Sequence, residues 1–342
     1  LGTYLGAVLW LHAGTCLVIS APLLAGAAAL AAWASPLWPP LLAMAVAAPG
    51  MLLFWLARRA CYLGSRPERA MLASLCYALL LAAGTGWLWR TGRISAGGIF
   101  LLMSGAGLAV SVGVGNRLSV RPAKALRIGD GAFLRQAAQR HWGYARWSLG
   151  TTMLYWLANS LYLPLVGGLA GLKAVAAYRA TDNLLLPMSQ ALTGAGHLLL
   201  PRLSRRHALG GKAQLRAAAV KIGLAASSAA GLYVAGILAF GTGLMRLAYG
   251  SDAYSAYFCM APYLGAAVII RALGDTGLGM ALRAAGRPEA GFWATCAGTA
   301  VTLTAGLAMV WRFGAAGAAA GWMTSSAAVC LAYVSLFRRW MR

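Results

Sequence analysis

Two pairs of opposite charges lie inside long apolar stretches of this sequence, where each charge needs a specific reason. Arg271 and Asp275 are four residues apart, and Arg179 and Asp182 are three apart. On a helix either spacing places both members on one face, where they can form an ion pair. Because an ionisable group in hydrocarbon is costly, each pair should face the protein interior. Arg271 and Asp275 are equally compatible with a structural ion pair and with the wall of a water-filled path.

The stretch around Arg179 also contains the densest set of polar residues in any apolar segment. Asp182, Ser189, Thr193 and His197 can share a broad polar stripe on one helix, with Gln190 beside it. A polar stripe along a membrane helix indicates a cavity lining, so we expect these residues, with Arg179, to border such a cavity.

Two further groups are candidates for ligand contact. Asn159 has Tyr155 and Tyr162 at i−4 and i+3, which predicts one side of a helix. Aromatic and amide groups stack on and hydrogen-bond to sugars, although hydrogen bonding between helices is the alternative for Asn159. Arg58 and Arg59 end another apolar stretch, where they either extend to lipid headgroups or bind phosphate.

Catalytic and metal-binding patterns were not found. The six acidic residues form no acid/base dyad, and the four His and six Cys have no metal-ligand spacing. No glycine-rich phosphate loop or nucleophile motif is present. We therefore expect a protein that is not an enzyme, with no metal and no cofactor.

The overall composition requires lipid as part of the solvent. The chain is 61% hydrophobic and 10% charged, whereas soluble domains carry about 25% charged residues. The net charge of +23 would suggest nucleic acid in a soluble protein, but here the basic residues lie in short clusters between apolar runs. The sequence thus predicts an all-α, polytopic membrane protein that binds membrane lipids and no nucleic acid.

Ten segments are long and apolar enough to cross a bilayer, which takes roughly 20 residues each. They cover 10–33, 39–57, 70–91, 95–114, 147–168, 173–200, 218–242, 257–282, 289–311 and 315–337. The connections on one side contain 21 Lys and Arg, and those on the other contain five. By the positive-inside rule, both termini should be cytoplasmic.

The longest polar stretch, 115–146, divides four spans from six. It predicts a cytoplasmic basic linker between an N-terminal lobe, 1–114, and a C-terminal lobe, 147–342. Within it, one helical face carries Phe133, Leu134, Ala137, His141 and Trp142, and the residues off that face are Arg135, Gln139 and Arg140. This pattern indicates an amphipathic helix on the inner leaflet. A solvated linker is the alternative.

Several short motifs resemble one family of transporters. They are Trp147-Ser-Leu-Gly, Asn159-Ser-Leu-Tyr162, Gly171-Leu-Lys173-Ala-Val-Ala-Ala-Tyr178-Arg179-Ala, Leu200-Pro201-Arg202-Leu-Ser204-Arg205-Arg206, Ala57-Arg58-Arg59-Ala-Cys61-Tyr62 and Leu247-Ala-Tyr249-Gly250-Ser-Asp252-Ala-Tyr254. This set resembles polysaccharide-biosynthesis membrane proteins, the O-antigen flippase-like branch of the multidrug/oligosaccharidyl-lipid/polysaccharide (MOP) exporter superfamily. The resemblance implies a MATE-like bundle of two lobes, usually with twelve spans, and hence an N-terminal truncation of two spans here.

The resemblance also implies a function. Such flippases move a polyprenyl-diphosphate-linked oligosaccharide, for O-antigen, capsule or exopolysaccharide, from the cytoplasmic to the outer leaflet of the bacterial inner membrane by alternating access. Arg179 and Arg271 would counter the diphosphate in the cavity, and Arg58 and Arg59 would guide it at the inner mouth. A monomer is expected, with H⁺ or Na⁺ as candidate coupling ions and glycan polymerase machinery as a candidate partner.

Other functions remain open at this point. A lipid II flippase would handle the same diphosphate, and a cation-coupled multidrug exporter belongs to the same superfamily. From a different class, a membrane-embedded glycan polymerase would need a large outer loop, whereas the longest outer connection is about a dozen residues. A truncated, inactive scaffold is the last alternative.

Overall fold

A computed structural model describes residues 2–63, 66–117, 131–250 and 252–342. These residues form helices and short connections, with no strand among them. The chain divides into two compact units, residues 1–142 and 143–342. Helices suit long apolar stretches because they satisfy every internal backbone hydrogen bond within the segment.

The described residues of the first unit form four long helices and the start of a fifth. The four are α1 (Gly2–Ala32), α2 (Trp38–Leu63), α3 (Pro67–Arg90) and α4 (Ala96–Arg117). Small residues let α2 and α4 approach closely, since a Cβ added to Gly107 would lie 2.9 Å from the carbonyl oxygen of Gly50. The buried core cluster of this unit is small and consists of Phe54, Ala73 and Val110.

The second unit is built from longer helical runs. They are α5 (Gly131–Ser160, which begins in the first unit), α6 (Tyr162–Tyr249), α7 (Ala261–Arg271), α8 (Met280–Ala284), α9 (Glu289–Val301) and α10 (Leu307–Met341). A 3₁₀-helix, Asp252–Met260, precedes α7. Two π-helical segments, Ala272–Gly279 and Thr302–Gly306, join α7 to α8 and α9 to α10.

Three glycines interrupt the longest runs. Gly171 and Gly211 in α6 and Gly314 in α10 have φ of 84°, 63° and 57°, in the region that glycine tolerates best. Around Gly314 the chain doubles back, because Ser325 Oγ donates to the carbonyl oxygen of Gly298 at 2.9 Å. Seven helices of the described residues are long and apolar enough to cross a membrane. The three glycine interruptions divide two of them into five segments, which gives the ten segments that the sequence predicts, and the all-α fold is confirmed.

The predicted linker is only partly described. Residues 118–130 lie outside the described residues, and α5 begins at Gly131 and continues through the predicted amphipathic helix into the fifth span. Ala137 is buried, whereas Arg135 and Arg140 are exposed, as that prediction requires. Trp142, expected on the apolar face, is 61% exposed.

Candidate functional site

Arg271 and Asp275 form a close ion pair where α7 ends. The Nε and Nη2 of Arg271 donate to Oδ2 of Asp275 at 3.0 and 2.8 Å. Their side chains are 20% and 29% exposed, so both charges are largely removed from the surroundings. The predicted ion pair is therefore present, and its shielding makes each charge dependent on the other.

Asp275 lies within the π-helical segment Ala272–Gly279. Such segments inside α-helices are rare and often occur at functional sites. Gly274, Gly277 and Gly279 permit close packing here, since a Cβ on Gly277 would lie 2.8 Å from the Cα of Gly223. These three glycines within six residues are the feature of the sequence that could have indicated the irregularity. Counting spans by hydropathy does not detect it.

Two residues that the sequence did not single out complete this cluster. Arg283 donates from Nη2 to the carbonyl oxygen of Asp275 and from Nε to that of Gly279, both at 3.3 Å. Tyr333 of α10 is 4% exposed and packs against Gly279, where an added Cβ would lie 2.7 Å from Cζ of the tyrosine. Arg283 appeared in the sequence only as one of the basic residues of a loop.

Tyr155 and Asn159 lie beside this cluster on α5. The guanidinium of Arg271 is 4.7 Å from the ring centre of Tyr155, within cation–π range. Asn159 accepts a hydrogen bond from the indole nitrogen of Trp322 at 2.9 Å and donates to the carbonyl oxygen of Tyr155 at 2.7 Å. The alternative of hydrogen bonding between helices is thus realised for Asn159.

Tyr162 and Tyr155 differ sharply in exposure. The two helices α5 and α6 join at Leu161, whose φ of −65° and ψ of −34° are helical, so Tyr162 keeps the expected i+3 register from Asn159. Tyr162 is 1% exposed and its hydroxyl lies against Gly306 and Gly321, whereas Tyr155 is 44% exposed. Tyr162 is therefore part of the core in this conformation, and Tyr155 is the tyrosine of the two that is open to a ligand.

The second predicted pair lies on the exposed side of α6. Arg179 Nη1 and Asp182 Oδ2 are 3.2 Å apart, with side chains 53% and 28% exposed. The neighbouring Asn183 donates to the hydroxyl of Tyr249 at 3.1 Å. A salt bridge between accessible side chains contributes little to stability, so this pair is available to other partners.

The rest of the predicted stripe follows Asp182 along the same helix. Gln190 is exposed and His197 is half-buried. Thr193 donates to the carbonyl oxygen of Ser189 at 2.9 Å, which uses its hydroxyl hydrogen inside the helix. The charged pair and the exposed amide of Gln190 are therefore the polar groups of this stripe that are open to a ligand.

Arg58 and Arg59 belong to the first unit. The Arg58 guanidinium lies 5.2 Å from the ring centre of Trp55 and 5.7 Å from that of Phe54. It borders a cleft of about 280 Å³ that also contains Tyr77. Arg59 is exposed. Arg58 therefore packs on aromatic rings, and Arg59 is the freer candidate for headgroup or phosphate contact.

Comparison with known proteins identifies the fold. No family model and no curated protein sequence matches the chain. A solved structure of MATE in complex with MaL6 aligns with a TM-score of 0.82 at 13% identity, over 99% of this chain and 79% of that one. An outward-facing multidrug resistance MATE family transporter of the MOP superfamily aligns at 0.76 and 14% identity, over 99% and 78%.

A eukaryotic MATE transporter aligns at 0.65 and 14% identity, over 98% of this chain and 76% of that one. The chain is thus a multi-pass membrane protein with the fold of MATE transporters. The predicted all-α, MATE-like fold is confirmed.

Proposed function

We propose that this protein is a membrane exporter that moves a polyprenyl-diphosphate-linked oligosaccharide from the cytoplasmic to the outer leaflet. The observation that carries the proposal is the charge of the polar groups in the spans of the second unit. The carboxylates that the structure describes there are Asp182, Asp275 and, at the start of a span, Glu289, and each already has an arginine partner. A substrate approaching these groups meets no free negative charge from them.

Exposure of the Arg179 pair supports a hydrated surface. Arg179 and Asp182 lie in an apolar span and remain 53% and 28% exposed. Hydrocarbon solvates neither charge, so the face that carries them requires water or a polar ligand. A lipid-linked glycan supplies that ligand while its prenyl tail stays in the hydrocarbon.

The two arginines are suited to a diphosphate. Guanidinium groups bind phosphate oxygens through paired N–H donors, and an arginine held by a carboxylate is already oriented. Arg179, more exposed than Arg271, is the first contact in this proposal, and Tyr155 and Gln190 offer a ring and an amide to the sugars. We further propose that both termini are cytoplasmic and that the membrane is a bacterial inner membrane.

A cation-coupled multidrug exporter is the second candidate. It is favoured by the MATE transporters that share the fold, one of which is described as a multidrug resistance transporter. In that case Asp182 or Asp275 would have to release its arginine to bind H⁺, Na⁺ or a cationic drug. The two candidates therefore differ in which member of each ion pair contacts the substrate.

Variants of one pair distinguish these roles in proteoliposomes that contain a fluorescent prenyl-diphosphate oligosaccharide. Arg179→Gln should reduce the flipping rate about tenfold or more, because a charge-assisted contact to the diphosphate is lost. Lys173→Gln, two turns away on the same helix, is the matched control and should retain the rate. Equal rates for Arg179→Gln and wild type would remove Arg179 from the substrate path.

A further inference from the structure

A second cleft lies beside the interruption of α6 at Gly211. It has a volume of about 420 Å³ and is lined by Arg206, Gln214, Ala217, Ala218 and Lys221. Arg206 comes from the segment before the interruption and Lys221 from the segment after it, so the two helical segments each supply one cation. The cleft lies on the side with the basic connections, which is the predicted inner side.

Neither cation of this cleft has a carboxylate partner among the described residues. The salt bridges of the second unit's described residues join Asp182, Asp275 and Glu289 to arginines that do not line the cleft. Both Arg206 and Lys221 are exposed. The cleft therefore presents two positive charges to whatever fills it.

Lys212, a nearby basic residue, differs from the two cations of the cleft because its ammonium group has partners within the protein. Lys212 donates to the carbonyl oxygen of Trp340 at 2.8 Å, and its Nζ is 5.3 Å from the ring centre of that tryptophan. Lys212 thus joins α6 to the end of α10. Arg206 and Lys221 make no such contact to α10, which leaves their charge for an external group.

The position of Lys221 along its span indicates which external group its charge contacts. Lys221 follows Gly211 by ten residues, or about 15 Å of helix, and lies inside the predicted seventh span. Its ammonium group can reach the headgroup layer but not bulk water without crossing that layer. Ala217 and Ala218 keep the cleft open between the charges, and Gln214 adds an amide donor.

We propose that this cleft binds a phosphate group, and that its source is the headgroup of an anionic phospholipid of the inner leaflet. Basic pockets between helices on that side suit such headgroups. A free phosphate ion has the same chemistry and is the other source to test. The proposal is independent of the exported substrate, because it uses neither Arg179 nor Arg271.

Native mass spectrometry of the solubilised protein, titrated with phosphatidylglycerol, phosphatidylcholine or inorganic phosphate, tests the site. Phosphatidylglycerol should give one saturable adduct that phosphatidylcholine does not match. Each cation near an anionic headgroup contributes about a fivefold factor in affinity, so Arg206→Gln/Lys221→Gln should weaken the adduct roughly 25-fold. Inorganic phosphate that binds with the same dependence, while the lipid does not, would identify a free phosphate as the source.

Two control variants separate a built cleft from general surface charge. Arg205→Gln/Arg216→Gln removes the same charge from the same two helical segments, outside the cleft, and should leave the affinity within about twofold. Ala217→Trp fills the cleft, keeps both cations and should abolish the adduct. Equal weakening in both double variants, or an unchanged adduct in Ala217→Trp, would overturn the proposal.

Discussion

Arg271 places both of its hydrogen bonds, at 3.0 and 2.8 Å, on a single carboxylate oxygen of Asp275. The interaction links the last residue of α7 to the π-helical segment that follows it. Arg283 holds the same segment through the backbone oxygen of Asp275. An ion pair and a backbone contact therefore both hold the irregular segment at Asp275.

Charge removal from this pair should distinguish the two roles. Asp275→Asn leaves a mostly shielded Arg271 without a counterion and should lower the free energy of unfolding by about 1–3 kcal/mol. Arg271→Gln/Asp275→Asn removes both charges and should recover most of that loss. Thermal unfolding of the detergent-solubilised variants measures the effect, and a double variant less stable than Asp275→Asn would contradict it.

The flipping rate of the double variant then reports function. A purely structural pair predicts that recovered stability brings back transport. A substrate-contacting Arg271, as proposed here, predicts a stable protein whose flipping remains slow.

The hydrogen bond between Asn159 and Trp322 should stabilise the second unit without affecting substrate choice. Asn159→Leu leaves the indole N–H of Trp322 unpaired and should cost about 0.5–2 kcal/mol of unfolding free energy, the range for hydrogen bonds between membrane helices. Trp322→Phe removes the donor, so Asn159→Leu should cost less in that background. Additive losses in this double-mutant cycle would argue against the bond.

Tyr162 and Gly306 offer a test of the core at the second π-helical segment. A Cβ on Gly306 would collide with the Tyr162 hydroxyl, so Gly306→Ala should destabilise by about 1–3 kcal/mol through overpacking. Tyr162→Phe removes the colliding atom, and the next contacts are at 3.3 Å or more. The double variant should therefore approach wild-type stability in thermal unfolding, and no recovery would place the strain elsewhere.

The sequence predicted the fold better than it predicted the site. Hydropathy and loop charge suffice for span positions, and the predicted ends at 168 and 311 anticipated the glycine interruptions at Gly171 and Gly314. Spacing also predicted both ion pairs, because i, i+3 and i, i+4 neighbours meet on any regular helix. Spacing along one helix cannot predict contacts between helices, and Tyr333 and Trp322 come close to the site only through helix packing.

Tyr162 shows what the same spacing rule does not predict. The rule gives the side of a helix on which a residue lies, whereas the burial of Tyr162 depends on Gly306 and Gly321, which approach its hydroxyl through helix packing. The sequence analysis likewise did not predict the π-helical segment at Asp275, because hydropathy does not distinguish three glycines from the rest of an apolar span.

The nature of the substrate is the central claim, and one measurement addresses it directly. Proteoliposomes with the wild-type protein should be assayed for movement of a fluorescent prenyl-diphosphate oligosaccharide and, in parallel, for ion-driven movement of a cationic dye such as ethidium. We predict protein-dependent flipping of the prenyl-diphosphate oligosaccharide and no transport of the dye above that of protein-free vesicles. Dye transport without movement of the lipid-linked glycan would contradict the proposal and favour the multidrug exporter.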